Sequence, residues 1–188
     1  FGYDPDSEPF PYDPDKAREL LADAGYADGF TFRFLSYTGA IPGQRQVAEA
    51  VASELANVGI TMEIQHYEDE GIPLTMIQQG TGGPSWQVTW GSNGVFDAEG
   101  LYYDLMHSDG GWSYVRIPEL DELINLARTT LDMEVRQDAY FRAQEIVREE
   151  APWLFMYAVH GVWGVSNRID WKPQGDEFDR LFIAKRAQ

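Results

Sequence analysis

Residues 12–26 read Tyr-Asp-Pro-Asp-Lys-Ala-Arg-Glu-Leu-Leu-Ala-Asp-Ala-Gly-Tyr, and Gly29-Phe30 follows them closely. Asp13 is placed to accept hydrogen bonds from the free amides of a first helical turn, and Pro14 suits the first helical position. Gly25 can adopt the left-handed backbone that ends a helix. The stretch therefore predicts a sharply bounded helix, which carries an apolar stripe of Ala17, Leu20, Leu21 and Ala24.

The residues after this helix predict a βαβ unit. Phenylalanines alternate with polar residues from Phe30 to about Tyr37, which is the period of a half-buried strand. Apolar residues at helical spacing follow over 47–58, and a second alternating strand covers 60–65. Such a crossover makes its two strands parallel and places the helix on one face of the sheet. The fold class is therefore α/β.

Further elements are predicted along the rest of the chain. They are a short helix over 73–79, a strand over 86–90, a helix beginning at Pro118, a helix capped by Asp132 and stopped by Pro152, a buried strand over 154–159 that residues 161–165 extend or pair with, and a short apolar strand over 181–183. A longer irregular stretch begins at Gly91, and Asp97 is placed to cap a helix over 98–106.

Composition excludes several classes of function. The 188 residues contain no cysteine, which rules out disulfides, zinc thiolate sites and a cysteine nucleophile. With 31 acidic and 14 basic residues the formal net charge is -17, so nucleic acid and anionic membranes would be repelled. No apolar run is long enough to span a bilayer, and no signal-peptide pattern starts at Phe1. The three histidines show no paired spacing, so neither a metal site nor a cofactor is expected.

The order of residues 12–30 closely resembles the start of the C-terminal lobe in family 5 solute-binding proteins of ABC importers, which bind peptides, nickel or oligosaccharides. The resemblance continues downstream, in the family's order, at Ile117-Pro118-Glu119-Leu120-Asp121-Glu122-Leu123-Ile124, Ala127, Asp132, Arg136, Ala143-Gln144-Glu145-Ile146 and Ala151-Pro152-Trp153. It implies a lobe like those of type II periplasmic binding proteins, with a mixed sheet, a parallel βαβ core and helices on both faces.

The resemblance also implies a division of the chain and a set of partners. Residues 1–11 are expected to be a loop or linker, 12–180 the C-terminal solute-binding lobe, and 181–188 a strand that returns toward an N-terminal lobe outside this sequence. The full-length protein is then expected to be periplasmic or extracellular and membrane-associated. It would capture a small polar solute between two lobes and deliver it to an ABC permease, without catalysing a reaction.

Ligands of open α/β sheets collect beyond the carboxyl ends of the strands. Two loops qualify, Thr38 to Gly43 and residues 90–97. The second loop combines the indole of Trp90, the backbone of Gly91, which can approach a ligand closely, and the side-chain amide of Asn93, which can both donate and accept hydrogen bonds. Phe96 and Asp97 complete this loop, although a packing role and a helix cap are the commoner uses of such residues. The resemblance makes Trp90 the leading ligand contact and adds His160 as a cleft-facing position.

Two positions depart from the pattern of the peptide-binding members. Those members carry an aspartate three residues after the tryptophan, where it pairs with the ligand's free amino group, and this chain has Asn93. Gln87 stands where some of them carry an arginine. Because an amide cannot neutralise an ammonium as a carboxylate does, a free peptide is disfavoured, and a sugar, an opine-like conjugate or another neutral polar solute is expected.

Two other classes of function are kept open by the residues themselves. Glu68, Asp69 and Glu70 form an acidic cluster that allows a glycoside hydrolase fragment, although such a loop cluster is more often simply solvated. A non-catalytic structural interaction domain is the other alternative.

Overall fold

The computed structural model describes residues 1–39, 43–91, 95–176 and 178–187. The chain divides into two compact units, one formed by Glu8–Thr89 and the other by Phe1–Ser7 together with Trp90–Gln188. The helices are α1 Pro14–Asp23, α2 Gln44–Ala56, α3 Gly71–Gln78, α4 Glu99–Met106, α5 Pro118–Thr129 and α6 Met133–Glu150, with a 3-10 turn at Leu181–Ile183. The strands are β1 Phe30–Tyr37, β2 Ile60–Tyr67, β3 Ser85–Trp86, β4 Ile169–Asp170 and β5 Lys185–Arg186.

Helix α1 has the ends that its sequence predicts. The Asp13 carboxylate accepts a hydrogen bond from the Lys16 amide at 2.9 Å, and Pro14 is the first helical residue. At the other end Gly25 has a φ of 85°, its amide donates to Ala22, and the next amide donates to the carbonyl of residue 21. These two hydrogen bonds around a residue in the left-handed conformation form a Schellman motif. Both predicted ends of α1 are therefore confirmed. No residue of α1 is buried.

The predicted βαβ unit is confirmed. β1 and β2 are parallel and in register from Phe30 opposite Ile60 to Tyr37 opposite Tyr67, and β3 pairs with the other side of β1 in a sheet ordered β2-β1-β3. α2 packs on the sheet face that contains Phe34 and Met62. Because side chains alternate across a strand, Leu35 lies on the opposite face, where it and Ile77 of α3 both lie beside Gly82. Helices therefore cover both faces.

The two long strands begin at a close contact between glycine backbones. Gly29 has a φ of 75° and Gly59 a φ of 90°, both in the region that favours glycine. A Cβ on Gly29 would overlap the carbonyl oxygen of Gly59. The sheet therefore requires glycine at position 29.

The third strand is shorter than its sequence predicts. The prediction of a strand over 86–90 is wrong, because β3 contains only Ser85 and Trp86. These two residues pair with Phe34 and Leu35 of β1. From Gln87 onward the backbone no longer pairs with β1. The Gln87 side chain instead donates to the Ser36 hydroxyl of β1 and to the Gln44 carbonyl at the start of α2. The boundary between the two units then falls between Thr89 and Trp90.

The core of the other unit is built by α4, α5 and α6. Pro118 begins α5, and the Asp132 carboxylate caps α6 by accepting from the amides of residues 134 and 135, as predicted. α6 ends at Glu150, before Ala151 at φ 43° and Pro152. The buried residues of the core that these three helices form are Tyr102, Leu105, Met106, Val115, Leu120, Ile124, Ala127, Ala139, Tyr140, Ala143, Ile146 and Val147.

Two predicted strands near the end of the chain are wrong. Residues 154–165 form neither helix nor strand, and Leu154 to Val159 are exposed instead of buried. A buried strand needs a neighbour that pairs with its backbone and a layer that covers it, and this run finds neither within the described residues. Leu181–Ile183 is a 3-10 turn instead of a strand, and β5, just after it, pairs antiparallel with β4. The predicted return of residues 181–188 toward another lobe stays a prediction.

Candidate ligand-binding site

The indole of Trp90 stands on the helical core at the start of the predicted ligand loop. It is half-buried and packs against the α4–α6 core cluster. Its ring meets that of Trp112 edge to face, with centroids 5.9 Å apart and an interplanar angle of 69°. The partly exposed ring is thus held in a fixed orientation, which is the condition for an aromatic platform under a ligand.

The next residues of the loop are only partly described. Gly91 is exposed. Asn93, whose side-chain amide is predicted to hydrogen-bond to the ligand, lies outside the described residues, so its role stays a prediction.

Asp97 anchors the end of the same loop. Its two carboxylate oxygens each accept from the Arg136 guanidinium at 2.8 Å, and one of them also accepts from the Glu99 amide at 2.9 Å. The bonds from Arg136 hold the pKa of the Asp97 carboxyl below its ordinary value. Arg136 in turn donates to the carbonyl of Ala127 at 2.9 Å, so one side chain ties this loop to α5 and α6. Asp97 thereby bonds to the first residue of α4, but the cap position itself is Ala98, one residue after the predicted cap.

Phe96 and His160 are the remaining predicted site residues. Phe96 has a φ of 51°, a left-handed conformation uncommon for a residue with a side chain, and its ring is 56% exposed. His160 is also exposed, within the stretch without helix or strand. Trp90, Phe96 and Asp97 therefore belong to one loop, whereas no hydrogen bond or ring contact joins His160 to them among the described residues.

A second polar group lies in the unit of residues 8–89, at the carboxyl edge of β1 and β2. We call it the sheet-edge cluster. It consists of Ser36, Thr38, Gln44, His66 and Gln87. Ser36 and Gln44 are buried, His66 and Gln87 are half-buried, and Thr38 is exposed.

Hydrogen bonds connect the members of the sheet-edge cluster. Ser36 Oγ lies 3.1 Å from His66 Nδ1, and Thr38 Oγ1 lies 3.2 Å from His66 Nε2. Gln87 Nε2 donates to Ser36 Oγ at 3.2 Å and to the Gln44 carbonyl at 3.4 Å. The Gln44 side chain accepts from the Gly39 amide at 3.0 Å. The cluster thus joins the loop after β1, the start of α2 and the residues after β3.

Sequence reasoning named the Thr38 loop and Gln87 but left His66 as an unremarkable histidine. A signal for the cluster was present in the register. If Gly29 and Gly59 start the two parallel strands together, Ser36 and His66 are the seventh residues of their strands and stand side by side, as observed.

The described residues do not favour the other chemistries considered. Within them no group of three histidine, cysteine or carboxylate side chains could hold a metal ion. Glu68 and Asp69 are exposed, and Asp69 accepts from the Gly71 amide at 3.0 Å in the turn before α3. This is a solvated turn and not a pair of carboxylates facing a cleft. No helix of the described ranges is long and apolar enough to cross a membrane.

Known proteins agree with this architecture. Residues 1–113 match the profile described as bacterial extracellular solute-binding proteins, family 5, middle region. The chain belongs to this family. The family 5 chain is 30% identical over 178 residues to the heme-binding protein A of Haemophilus influenzae, covering 90% of its own length and 32% of that relative. It is 29% identical to the dipeptide-binding protein of Escherichia coli strain K12, covering 83% of itself and 30% of the relative. It therefore spans about a third of the length of such relatives.

Solved structures give the same picture for this family 5 chain. One similar structure is the ABC transporter-associated periplasmic binding protein DppA from Helicobacter pylori in complex with the peptide STSA, with 25% identity and a TM-score of 0.68. The match covers 81% of the chain and 30% of that protein. The fold is that of a type II periplasmic binding protein, as predicted.

Proposed function

We propose that this family 5 chain is the C-terminal lobe of the substrate-binding component of an ABC importer, and that it binds a small polar solute. The observation that carries the proposal is the half-exposed indole of Trp90, held against Trp112 at the start of a loop that Asp97 and Arg136 anchor. The relatives named above include binders of dipeptides and of heme, which supports solute capture as the general role.

Two residues of the sequence favour an uncharged ligand. Asn93 and Gln87 supply amides at the two positions where peptide-binding members carry charged residues. An amide can donate and accept hydrogen bonds, but it cannot neutralise a ligand's charge. Sugars and conjugates rich in hydroxyl or amide groups are therefore better candidates than free peptides. Asp97 acts in this proposal by positioning the loop, because Arg136 already engages both of its oxygens.

Capture would follow from closure of two lobes around the solute. Contacts made by both lobes are stronger in the closed state, so the ligand shifts the population toward a form that a permease can recognise. The chain spans about a third of its relatives, and the N-terminal lobe would come from the remainder. These 188 residues alone should bind weakly, because much of the ligand surface would stay unburied.

The proposed role implies an extracytoplasmic location and a non-catalytic function. A protein that delivers solutes to an importer works in the periplasm or outside the cell, and it associates with the membrane through its permease. Family 5 members are solute-binding proteins, so no turnover of the ligand is expected.

A thermal-shift and calorimetric screen of the full-length protein tests the proposal. The probes are maltose, the capped dipeptide N-acetyl-alanyl-alanine amide, and free alanyl-alanine. At least one neutral probe should raise the melting temperature by mass action, and Trp90→Ala should remove most of that rise. Asn93→Asp should shift preference toward the free dipeptide. Trp171→Ala is the control, since its half-buried indole bonds to the Arg180 carbonyl at 3.2 Å and not to a residue of the loop. A full ligand shift in Trp90→Ala would contradict the proposal.

A further inference from the structure

We propose that His107 is a positioning residue for the ligand loop, and that it acts only as an uncharged imidazole. It holds the α4–α5 turn, residues 107–113, which contains Trp112 and through that ring orients Trp90. Protonation of His107 in acid releases the turn and weakens solute binding. The inference rests on the proposed solute-binding function and adds a pH-dependent control of the same site.

His107 is buried at the point where α4 ends. It is 5% exposed, and its ring stacks on that of Tyr103, with centroids 4.9 Å apart and an interplanar angle of 26°. The ring nitrogens of a buried histidine need partners within the protein. Nδ1 accepts from the backbone amide of Asp109 at 3.0 Å, and Nε2 lies 3.1 Å from the side-chain amide of Asn125 on α5.

The bond from Asp109 decides where the ring hydrogen lies. A backbone amide can only donate, so Nδ1 carries no hydrogen, and the neutral ring has its hydrogen on Nε2. Nε2–H then needs an acceptor. Nδ2 of Asn125, the atom at 3.1 Å, cannot serve as one, whereas a half-turn of this amide brings its oxygen to nearly the same place. Asn125 therefore presents its oxygen to His107.

Protonation breaks the bond that holds the turn. An imidazolium carries a hydrogen on each nitrogen, so Nδ1–H would face the Asp109 N–H across 3.0 Å. The charged ring would be attracted to the Asp121 carboxylate, whose Oδ1 lies 3.9 Å from Nε2 of His107. That oxygen already accepts from the Ser108 amide at 2.7 Å. Protonation therefore removes one hydrogen bond of the turn and competes for a second.

Two further charges act on the same ring stack. The guanidinium carbon of Arg128 lies 3.6 Å from the centroid of the Tyr103 ring, and Arg128 Nε lies 2.9 Å from a Glu99 carboxylate oxygen. Arg128 opposes a positive charge on His107, and Glu99 offsets part of that repulsion. These groups set the pH at which the ring becomes charged. The backbone amide that Nδ1 accepts from sets which of the two states holds the turn.

Two glycines connect the His107 contact to Trp112. Gly110 lies against the end of α4, where a Cβ would overlap a carbonyl oxygen of that helix, and Gly111 is exposed. Glycine backbones have the greatest conformational freedom, so hydrogen bonds on either side order this connection. The bond from Asp109 to His107 precedes it, and the Trp112 amide donates to a carbonyl of α4 at 3.1 Å after it. Loss of the first bond therefore frees the turn before Trp112.

Trp112 in turn supports the predicted ligand contact. Its ring meets the half-buried Trp90 edge to face, with centroids 5.9 Å apart. Loss of an aromatic contact of this kind corresponds to about twofold to tenfold in an equilibrium constant. We expect the affinity for a neutral solute to fall by that factor between pH 7.5 and pH 5.5, the range in which histidines take up protons.

The first experiment needs no ligand. Long-range proton–nitrogen spectra of the full-length protein with labelled histidine, assigned with His107→Asn, should show a bare Nδ1 and a protonated Nε2 at pH 7.5. In protein labelled with 5-fluorotryptophan, the Trp112 signal, assigned with Trp112→Phe, should shift together with the His107 ring signals as the pH falls to 5.5. A hydrogen on Nδ1 at pH 7.5, a ring that stays neutral at pH 5.5, or a Trp112 signal that does not follow it would overturn the inference.

The second experiment measures binding of maltose and N-acetyl-alanyl-alanine amide by calorimetry at both pH values. Neither probe has a titratable group in this range. His107→Leu removes the acceptor for Asp109 and should weaken binding about twofold to tenfold at pH 7.5. His107→Asn should recover most of that affinity without the pH dependence, because an asparagine oxygen can accept from the amide two residues later. A role of the ring in packing alone predicts no such recovery.

A further pair of variants moves the pH dependence without altering His107. Asn125→Asp places a carboxylate beside Nε2 and favours the charged ring, so affinity should begin to fall at a higher pH. The matched control, Gln137→Glu, adds the same charge at an exposed position of α6 and should leave the pH profile as in wild type. Asn125 is also exposed, so both variants should fold. Identical profiles in Asn125→Asp and wild type would overturn the inference.

The outcomes separate the inference from the proposed function. Affinity that is the same at pH 7.5 and pH 5.5 in wild type, with a loss in Trp90→Ala, would overturn the role of His107 and leave solute binding standing. Absence of binding by every probe would overturn the proposed function. The spectra would then still decide whether the state of His107 controls Trp112.

Discussion

The ion pair between Asp97 and Arg136 should contribute measurably to stability, unlike an ordinary surface pair. The two side chains are only 20% and 16% exposed, and they form two parallel bonds at 2.8 Å. Charge-assisted bonds of this kind contribute about 1.5–3 kcal/mol, and removal of one partner of a buried pair costs about 3–5 kcal/mol. We expect Asp97→Asn to cost about 2 kcal/mol, since an amide can still accept from Glu99. Arg136→Met should cost about 3 kcal/mol, since it also releases the carbonyl of Ala127.

Urea unfolding of both single variants and the double variant would give the coupling energy, for which we expect about 1.5 kcal/mol. The control is the cycle for Arg45 and Glu49, a 3.0 Å pair on α2 with side chains 57% and 53% exposed. That pair should couple by at most about 0.5 kcal/mol. A coupling at Asp97 no larger than at this exposed pair would refute the anchoring role.

The same pair makes stability depend on acid pH. The pKa of Asp97 is lowered in the folded protein, so its contribution is fully present above the ordinary carboxyl pKa of about 4. It is lost as the pH falls below that value through the folded pKa. The stability difference between wild type and Asp97→Asn should therefore shrink below about pH 4. A difference that stays constant down to pH 2 would show that the charge of Asp97 contributes nothing.

Three further perturbations test the fold. Gly29→Ala should cost about 2 kcal/mol or more by urea unfolding, because its Cβ would meet the Gly59 carbonyl, whereas Gly25→Ala, which has open space, should cost only the left-handed strain of about 1 kcal/mol. Equal costs would contradict this. Asp132→Ala should cost about 1 kcal/mol through loss of the α6 cap, and Asp132→Asn much less. Burial raises the pKa of Tyr102, so unfolded protein ionises first and stability falls above about pH 10. Tyr102→Phe should lose less stability there, which alkaline unfolding monitored by circular dichroism would check.

The features that sequence predicted well depend on short-range physics. The ends of α1 and α6 are set by single side chains at Asp13 and Asp132, which bond to amides two or three residues away. The parallel crossover follows from two alternating strands with a helix between them. In each case the residues that determine the structure are neighbours in the chain, so local patterns contain the information.

The features that sequence missed depend on distant partners. The run 154–159 has the composition of a buried strand, but composition does not say whether a paired strand and a covering layer are present. Likewise Asp97 looked like a helix cap, and nothing nearby in sequence indicated that Arg136, 39 residues away, would hold it. For the candidate site, Trp90 and the loop stay predictions from the sequence, while the Ser36–His66 bond required the register of two strands.

The uncovered run of residues 154–159 has a consequence for the colloidal behaviour of the 188-residue chain. Adjacent apolar side chains that are exposed, as these are, can associate with the same run of another molecule, as in cross-β assemblies. Repulsion between molecules of net charge -17 opposes that approach, but it is screened beyond about 10 Å in 0.1 M salt. Added salt, or acidification that removes the charge, should therefore turn a dispersed preparation into a self-associating one.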